Sequence, residues 1–580
     1  LYFSSDWGET WSLVRNYVYK AQFADANSVY VISVEQDLQV GNQLSILDTW
    51  KQLYRIGTNG ETKFKSNTGF IDFTTQNNIL YAVQSANNTL FLQVSSNLGD
   101  DFQKALFQSD SFPQDSSTYT FLDNSQGVSF IHFIRKNARK YGTLYEADTL
   151  DPQFWPSLET NSIILDSSEV EFSVFNGING IYIANQYNTT ILVDDSDIEK
   201  YLTTMISYNK GGVWNSLPVP SNSLCSSPDC SLHLDNVLTS LLTQQTAIGL
   251  MLAIGNEGTM KETHSDQLNL YLSRDAGFSW ELVRSGPSEF TWGNYGGLFL
   301  SSSTSQSTNK VAFSWNQGLS WDACNFTSSN LEIDDIIQIG GPETLKFLLF
   351  GTSINGGSTK GSVTFLDFSN NISTQCAGEN SPGETTSDFE EWTTNWNDNC
   401  LLGETTTYTR RRRDSICIVN SPPFAIGESE SCECVMEDFT CDGICYKAQI
   451  SNTGELTCEY ICEEEQEDCG GDNPRGYKLV VGDTCSGRIV LDPAECPVET
   501  HSEFTVGWLS WVLLVLFFLL VIFSLVLMLI IGLYHTNDKV YQALEPHIPA
   551  WCTRDPSQEP DDMISYGDLD TNQGSLLDDD

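Results

Sequence analysis

A mainly β chain, an Asp-box β-propeller followed by small disulfide-rich modules and a single transmembrane helix, is the architecture the sequence predicts. Three observations predict it. An eight-residue motif recurs through the first 370 residues, the cysteines crowd into the stretch that follows, and an uncharged apolar run lies beyond them. Aromatic residues at 12% and 42 glycines favour short strands and turns over long helices.

The motif reads S-S-D-W-G-E-T-W at 4–11, S-S-N-L-G-D-D-F at 95–102, S-Y-N-K-G-G-V-W at 207–214, S-R-D-A-G-F-S-W at 273–280 and S-W-N-Q-G-L-S-W at 314–321. Its structural positions are clearest in three copies: Ser4, Asp6, Gly8 and Trp11; Ser273, Asp275, Gly277 and Trp280; Ser314, Asn316, Gly318 and Trp321. Asp or Asn can bond turn amides, Gly can take a positive φ, and the aromatic ring can fill the space beneath a hairpin. With eroded copies near 45–50 and 144–148, the spacing is about 40 to 65 residues, that of propeller blades. A β-sandwich is the alternative home for such strands. The box carboxylate is expected to serve the backbone, and no carboxylate cluster recurs at ligand spacing, so no metal or cofactor is predicted.

Between Phe504 and Asn537 there is no Lys, Arg, Asp or Glu. About 20 apolar residues cross a bilayer core, so a helix over 506–534 spans with some tilt; a buried core helix would be shorter and less uniform. Basic residues orient it weakly, with only Lys539 and Arg554 beyond it. Fifteen of the 16 cysteines precede it, as do four N-x-[ST] sequons at Asn87, Asn188, Asn325 and Asn371. Dense cysteine marks an oxidising compartment, so the N-terminal part is predicted luminal and the tail cytosolic. The net charge of -47 excludes nucleic acid as a partner. The chain opens at Leu1 inside a box strand, without initiator Met or signal peptide, so an upstream segment is expected.

Within the cysteine-rich stretch, C-x-C at Cys432 and Cys434 and C-x3-C at Cys441 and Cys445 have spacings that zinc also uses, but the luminal setting and the lack of nearby His favour disulfides. Cys225 and Cys230 are expected to pair across a short loop. The basic run Arg410–Arg413 is read as a solvated strand beside Cys417, with a furin-type cleavage site as the alternative.

The ordered segments C-S-L-H-L (230–234), T-A-I-G-L-M-L-A-I-G-N-E-G (246–258), F-N-G-I-N-G-I-Y-I-A-N (175–185), D-F-E-E-W (388–392), C-E-C-V-M-E-D-F-T-C-D (432–442) and G-D-T-C-S-G (482–487), set among the boxes, resemble the sortilin and vacuolar protein sorting receptor family over roughly residues 1–496. The resemblance implies a ten-bladed propeller, of which about seven blades are countable here and three would lie upstream. It implies a partial propeller over 1–375, a ten-cysteine membrane-proximal module over 376–496 and a linker over 497–505. The span at 506–534 and an acidic sorting tail at 535–580 would follow. The ten cysteines map onto Cys376, Cys400, Cys417, Cys432, Cys434, Cys441, Cys458, Cys469, Cys485 and Cys496. Cys445 and Cys462 are extra and are expected to bridge, and Cys324 has no evident partner. Family members hold cargo inside the propeller tunnel. In animal sortilins an Arg captures a peptide carboxylate where this chain has Asn179, and an amide cannot supply that bidentate contact. Phe175, Ile181 and Tyr182 beside it are candidate ligand-wall residues, with ordinary strand core as the alternative.

In the tail, Tyr541 with Leu544 and Tyr566 with Leu569 fit Y-x-x-Φ, and Leu576 and Leu577 resemble an acidic-dileucine signal. Clathrin adaptors read the first pattern as an extended segment with two side-chain pockets, and retromer is a second expected cytosolic partner. Cys552 is a palmitoylation candidate or an inert thiol. The expected function is therefore that of a type I sorting receptor, not an enzyme. It would carry luminal soluble proteins or peptides, hydrolases foremost, from the Golgi and trans-Golgi network to endosome, lysosome or vacuole, with the plasma membrane as a further station. A membrane-anchored sialidase-like glycosidase or glycan binder and a cell-surface peptide receptor of the same fold are the alternatives. The luminal His132, His233, His264 and His501, with the carboxylates, are the groups that would report acidification.

Overall fold

The structure is a computed structural model. It describes most of residues 1–487 and the stretch 519–529; outside the described residues lie 35–50, 65–68, 109–115, 136–139, 189–197, 426–428, 451–455, 462–475, 488–518, 530–580 and a few single or paired loop positions. The chain divides into two units, Leu1–Ala494 and Glu495–Asp580.

The first unit is mainly β. After a small hairpin (Tyr2–Phe3 with Ser12–Leu13), antiparallel meanders follow one another along the chain. The first runs Val18–Asp25, Ser28–Val34, Lys51–Gly57 and Gly60–Lys63; the second Phe70–Gln76, Ile79–Ala86, Thr89–Ser95 and Gln103–Lys104. Third and fourth meanders, spanning Ser116 to Ser162 and Phe172 to Ser216, join through the single pair Asn161–Gln186. A fifth spans Ser231 to Arg284, a sixth Ser288 to Asn325, and a three-stranded seventh Glu332 to Asp367.

Period-two alternation explains how these sheets pack. On Ile79–Ala86, Leu80 and Ala82 face the first sheet, while Tyr81 and Val83 face the third. On Met251–Gly258, Met251 and Ala253 face the fourth sheet, and Leu252 and Ile254 face the sixth. Strands buried on both faces read as unbroken apolar runs, which is why T-A-I-G-L-M-L-A-I-G shows no polar alternation. Each sheet thus shares a core with the next in chain order.

All five boxes form one turn. Ser273 Oγ accepts from Gly277 N at 2.8 Å and donates to Asp275 Oδ1 at 2.9 Å, which also accepts from Ser279 N at 2.8 Å. The same three bonds recur at Ser4, Ser95, Ser207 and Ser314, at 2.7 to 3.1 Å. In each, the residue before Gly is left-handed as well: Trp7, Leu98, Lys210, Ala276 and Gln317 have φ of 49 to 61°. A 3.2 to 3.3 Å bond from the residue after Gly back to the Asp or Asn carbonyl closes the turn. Two consecutive positive φ values and that closure are the marks of a type I′ turn, whose twist suits a β-hairpin. The four boxes within meanders all join the third strand to the fourth.

Two box expectations change. Trp280 is buried, but Trp11 is exposed on its small hairpin. The eroded copy near 144–148 is strand (Tyr141–Asp148) ending in a two-residue turn, where Asp148 Oδ1 accepts from Leu150 N at 2.9 Å without the Ser and Gly partners. The copy near 45–50 lies outside the described residues. In the second unit, 519–529 is helical with its apolar side chains exposed. Among the described residues no helix is long and apolar enough to cross a membrane. The rest of the expected span, the linker 497–505 and the whole tail lie outside the described residues.

Gly277 and Gly286 separate strain from crowding. Both have positive φ (92° and 88°), but a Cβ on Gly277 would meet Ile206 Cδ1 at 2.5 Å while Gly286 has open space. Gly286→Ala is expected to lower unfolding free energy by about 1 kcal/mol and Gly277→Ala by about 3 kcal/mol, read as urea midpoints of the β unit; equal losses would refute the packing account.

Candidate functional site

In an antiparallel meander, the connections after the first and third strands lie at one end of the sheet. The box turns are third connections; the segments 124–127, 175–181, 244–250 and 294–297 are first connections. The cysteine-rich segment from Cys376 onward docks against this end.

Its first half is a sheet of Phe389–Trp392, Tyr408–Arg411 and Phe424–Ala425, held by Cys376–Cys417 and Cys400–Cys432. The basic run lies on this sheet and corrects the sequence reading, because Arg410 and Arg411 are buried. Arg410 donates to the Arg274 carbonyl and, at 2.8 Å, to Glu390, with its guanidinium 4.6 Å from the Trp392 ring centre. Arg411 donates to the carbonyls of Trp315 at 2.9 Å, Gly297 at 3.1 Å and Ser415. Arg413 donates to the Gln317 carbonyl at 2.9 Å and pairs with Glu281 at 2.6 Å. Arg274 and Trp315 occupy the second position of successive boxes, so neighbouring arginines take equivalent carbonyls of neighbouring turns. Burial lowers both Arg410 and Arg411 to about 10. Only Arg412, paired with Asp414, is on the solvent side. A run bound in this way is not an extended protease substrate, nor an open arginine triad for a sugar carboxylate.

The second half carries the pairs Phe439–Cys441 with Tyr477–Leu479 and Tyr446–Ile450 with Leu456–Tyr460, and the disulfides Cys434–Cys485 and Cys441–Cys458. It rests on the third and fourth sheets. Gln108 Nε2 donates to the Tyr446 carbonyl at 2.7 Å, Asn209 Nδ2 to the Glu437 carbonyl at 3.3 Å, and Lys210 Nζ to the Gln126 carbonyl at 2.8 Å and to the Val481 carbonyl. Beneath the 207–214 turn, Glu146 accepts from Trp155 Nε1 at 2.8 Å. Its burial, offset in part by that bond, raises the carboxyl to about 7.

Cys225–Cys230 is bridged, and Cys445 is disulfide-bonded. Cys432, Cys434, Cys441 and Cys445 are thus all oxidised, which removes the thiolates a zinc site needs. Cys462, Cys469 and Cys496 lie outside the described residues, and Cys324 is free and exposed. Asn188, Asn325 and Asn371 are exposed; Asn87 lies outside the described residues, as do Tyr541, Leu544, Tyr566, Leu569, Leu576 and Leu577.

The candidate ligand wall is not a wall. Phe175, Ile181 and Tyr182 are buried in the cores that flank the fourth sheet, which is the strand-core alternative. Asn179 is exposed, but its loop faces the cysteine-rich segment: a Cβ on Gly180 would meet Leu402 Cδ1 at 2.9 Å. Two of the four predicted histidines are not open sensors either, whereas His264 is exposed and His501 lies outside the described residues. His132 is buried and lowered to about 4 by desolvation, and His233 Nδ1 and Nε2 contact the Leu202 and Gly258 carbonyls at 3.0 and 3.1 Å.

Serial meanders are thus clamped by a disulfide-stapled segment, with the clustered arginines committed to carbonyls and carboxylates. The family described as "Sortilin, neurotensin receptor 3" matches residues 1–336, and its C-terminal domain matches residues 340–497. The chain belongs to this family, whose members are sorting receptors rather than enzymes. Vacuolar protein sorting/targeting protein PEP1 of Saccharomyces cerevisiae is 24% identical over 558 residues, 90% of this chain and 35% of that protein. Vacuolar protein sorting/targeting protein 10 of Aspergillus terreus is 25% identical over 87% of this chain and 35% of that protein. An uncharacterized membrane glycoprotein of S. cerevisiae, YNR065C, is 25% identical over 90% of this chain and 49% of that protein. The chain spans about a third of the length of the first two. A solved prolyl endopeptidase structure aligns at a TM-score of 0.26 and 8% identity, over 68% of this chain and 54% of that one, a likeness too slight to bear on fold or function.

Two outcomes check this geometry. Arg411→Met leaves two buried carbonyls and one half-buried carbonyl without their donor and should lower stability by about 3 kcal/mol, while Arg412→Ala should change it by under about 0.5 kcal/mol. Thermal unfolding and trypsin sensitivity of the run read both, and equal effects would restore the solvated-strand reading. Glu146 has a raised folded pKa, so its stabilising contribution is complete below about pH 4.5 and is lost as pH rises through about 7. Glu146→Gln should therefore stabilise the fold on the order of 3 kcal/mol at alkaline pH and little in acid; a pH-independent difference would refute the assignment.

Proposed function

We propose that this chain is part of a type I transmembrane sorting receptor that binds luminal protein cargo and carries it from the Golgi to endosomes and on to a vacuole or lysosome. Support comes from the two family domains lying end to end over residues 1–497, the first carrying the serial meanders and the second the disulfide-stapled segment. In this reading the meanders are blades of a propeller, each sharing its core with the next, and the uncharged run 506–534 crosses the membrane. The relatives' names, vacuolar protein sorting/targeting proteins, support vacuolar proteins as the cargo class, among which this reading places soluble hydrolases foremost.

The mechanism is binding and recruitment, without bond chemistry. The cytosolic tail supplies Tyr566 with Leu569 as the adaptor signal, with Tyr541 and Leu544 close to the bilayer and Leu576 and Leu577 at the end; clathrin adaptors and retromer are the expected readers. The clamp of Arg410, Arg411 and Arg413 keeps the sheets at a fixed attitude to the segment that leads into the membrane.

Affinity capture from secretory-pathway lumen with the full receptor ectodomain should recover soluble hydrolases or their propeptides saturably. Tyr566→Ala should leave that binding intact while the receptor accumulates at the cell surface. Glycan turnover without protein capture would refute the receptor reading, and unchanged endosomal delivery of the Tyr566→Ala chain would refute the tail assignment.

A further inference from the structure

The motifs E-D-F-T-C-D and G-D-T-C-S-G, far apart in sequence, bring Asp438 and Asp483 together behind the Cys434–Cys485 disulfide. Asp438 Oδ2 accepts from Val435 N, and Asp483 Oδ1 from Cys485 N, each at 2.8 Å. The carboxyls are within hydrogen-bonding reach of each other, and Asp483 Oδ2 is buried with no donor among the described residues. A carboxylate oxygen buried in this way is satisfied most directly by a proton.

The surroundings supply charge but no competing donor. Glu437 lies beside Asp438 on its own turn. Glu404 faces the next residue along, accepting from Thr484 Oγ1 at 2.9 Å. From the box turn at 207–214 comes Lys210, whose Nζ is committed to the Gln126 and Val481 carbonyls and acts on Asp483 and Asp148 only through its field.

We propose that Asp438 and Asp483 share one proton and form an acid-closed latch, holding the turn at 435–438 against the turn at 480–485 behind the Cys434–Cys485 disulfide. With one proton, the pair carries a single negative charge beside a single buried ammonium, and its inner oxygens bond each other. Without it, two carboxylates repel in a partly dry site against one cation. Burial raises both groups, Asp483 to about 6. Because that lies above the unfolded value, the latch's contribution is complete in acid below the unfolded pKa and is lost as pH rises through about 6.

Hydrogen exchange on the full chain in lipid nanodiscs tests this, read as protection factors at the amides of Val480, Asp483 and Cys485. These amides bond to Asp438 O, Val480 O and Asp483 Oδ1, so they report on the latch itself. One linked proton should raise their protection about tenfold between about pH 7.5 and 5.0. Asp483→Asn, or Asp438→Asn if the first does not fold, should hold high protection at both pH values, because an amide donates permanently. Glu146→Gln should keep the rise. Flat protection in the parent chain, a rise that survives in both Asn variants, or a rise abolished by Glu146→Gln would each overturn the latch.

Discussion

Everything on the docking face depends on how the box turn distributes its hydrogen bonds. Ser and Asp or Asn bind the turn's own amides, so the two left-handed residues are held by side chains instead of by a neighbouring strand. Each turn is therefore rigid without external contacts, and its second-position carbonyl is free to accept. Arg410 and Arg411, adjacent on one strand, reach those carbonyls on two successive turns. Two residues of one strand, with Arg413 just beyond it, thus fix the attitude of the cysteine-rich segment to the sheets, and a point charge such as Lys could not replace the forked donor of Arg411.

The electrostatics of the face run in opposite directions with pH. Glu146 and the Asp438–Asp483 pair are held above their ordinary values by burial, and His132 is held below. The carboxyls favour the folded state in acid; the buried imidazole disfavours it, because it must charge where no partner waits. The buried His132 and His233 are therefore the weaker sensors of moderate acidification, although an unperturbed imidazole is the obvious one in a sequence.

Much of the fold was legible because its cause is local. The box announces itself through Ser, Asp or Asn and Gly at fixed offsets, and unbroken apolar runs such as T-A-I-G-L-M-L-A-I-G mark strands buried on both faces. The extra left-handed residue before Gly was not legible, since Trp7, Leu98, Lys210, Ala276 and Gln317 share no chemistry; the turn imposes the conformation on whatever stands there. The basic run misled for a related reason. Four arginines in a row suggest solvent, and only the carbonyls of distant turns, invisible in a sequence, give three of them a dry home. The carboxyl pair was equally hidden, its members lying on two motifs that sequence alone cannot bring together.

The fate of Asn179 follows from strand parity. Its loop is the first connection of the fourth meander, so it lies at the end shared with the third-connection box turns, and that is the end the cysteine-rich segment covers. A ligand wall built on Phe175, Ile181 and Tyr182 would need side chains that are already core. Any ligand surface is better sought on the opposite end of the sheets. The exposed Asn188 and Asn325 also belong to that opposite end, one following a second strand and the other closing a fourth. Asn371, which follows the third strand of the seventh meander, belongs by the same rule to the covered end.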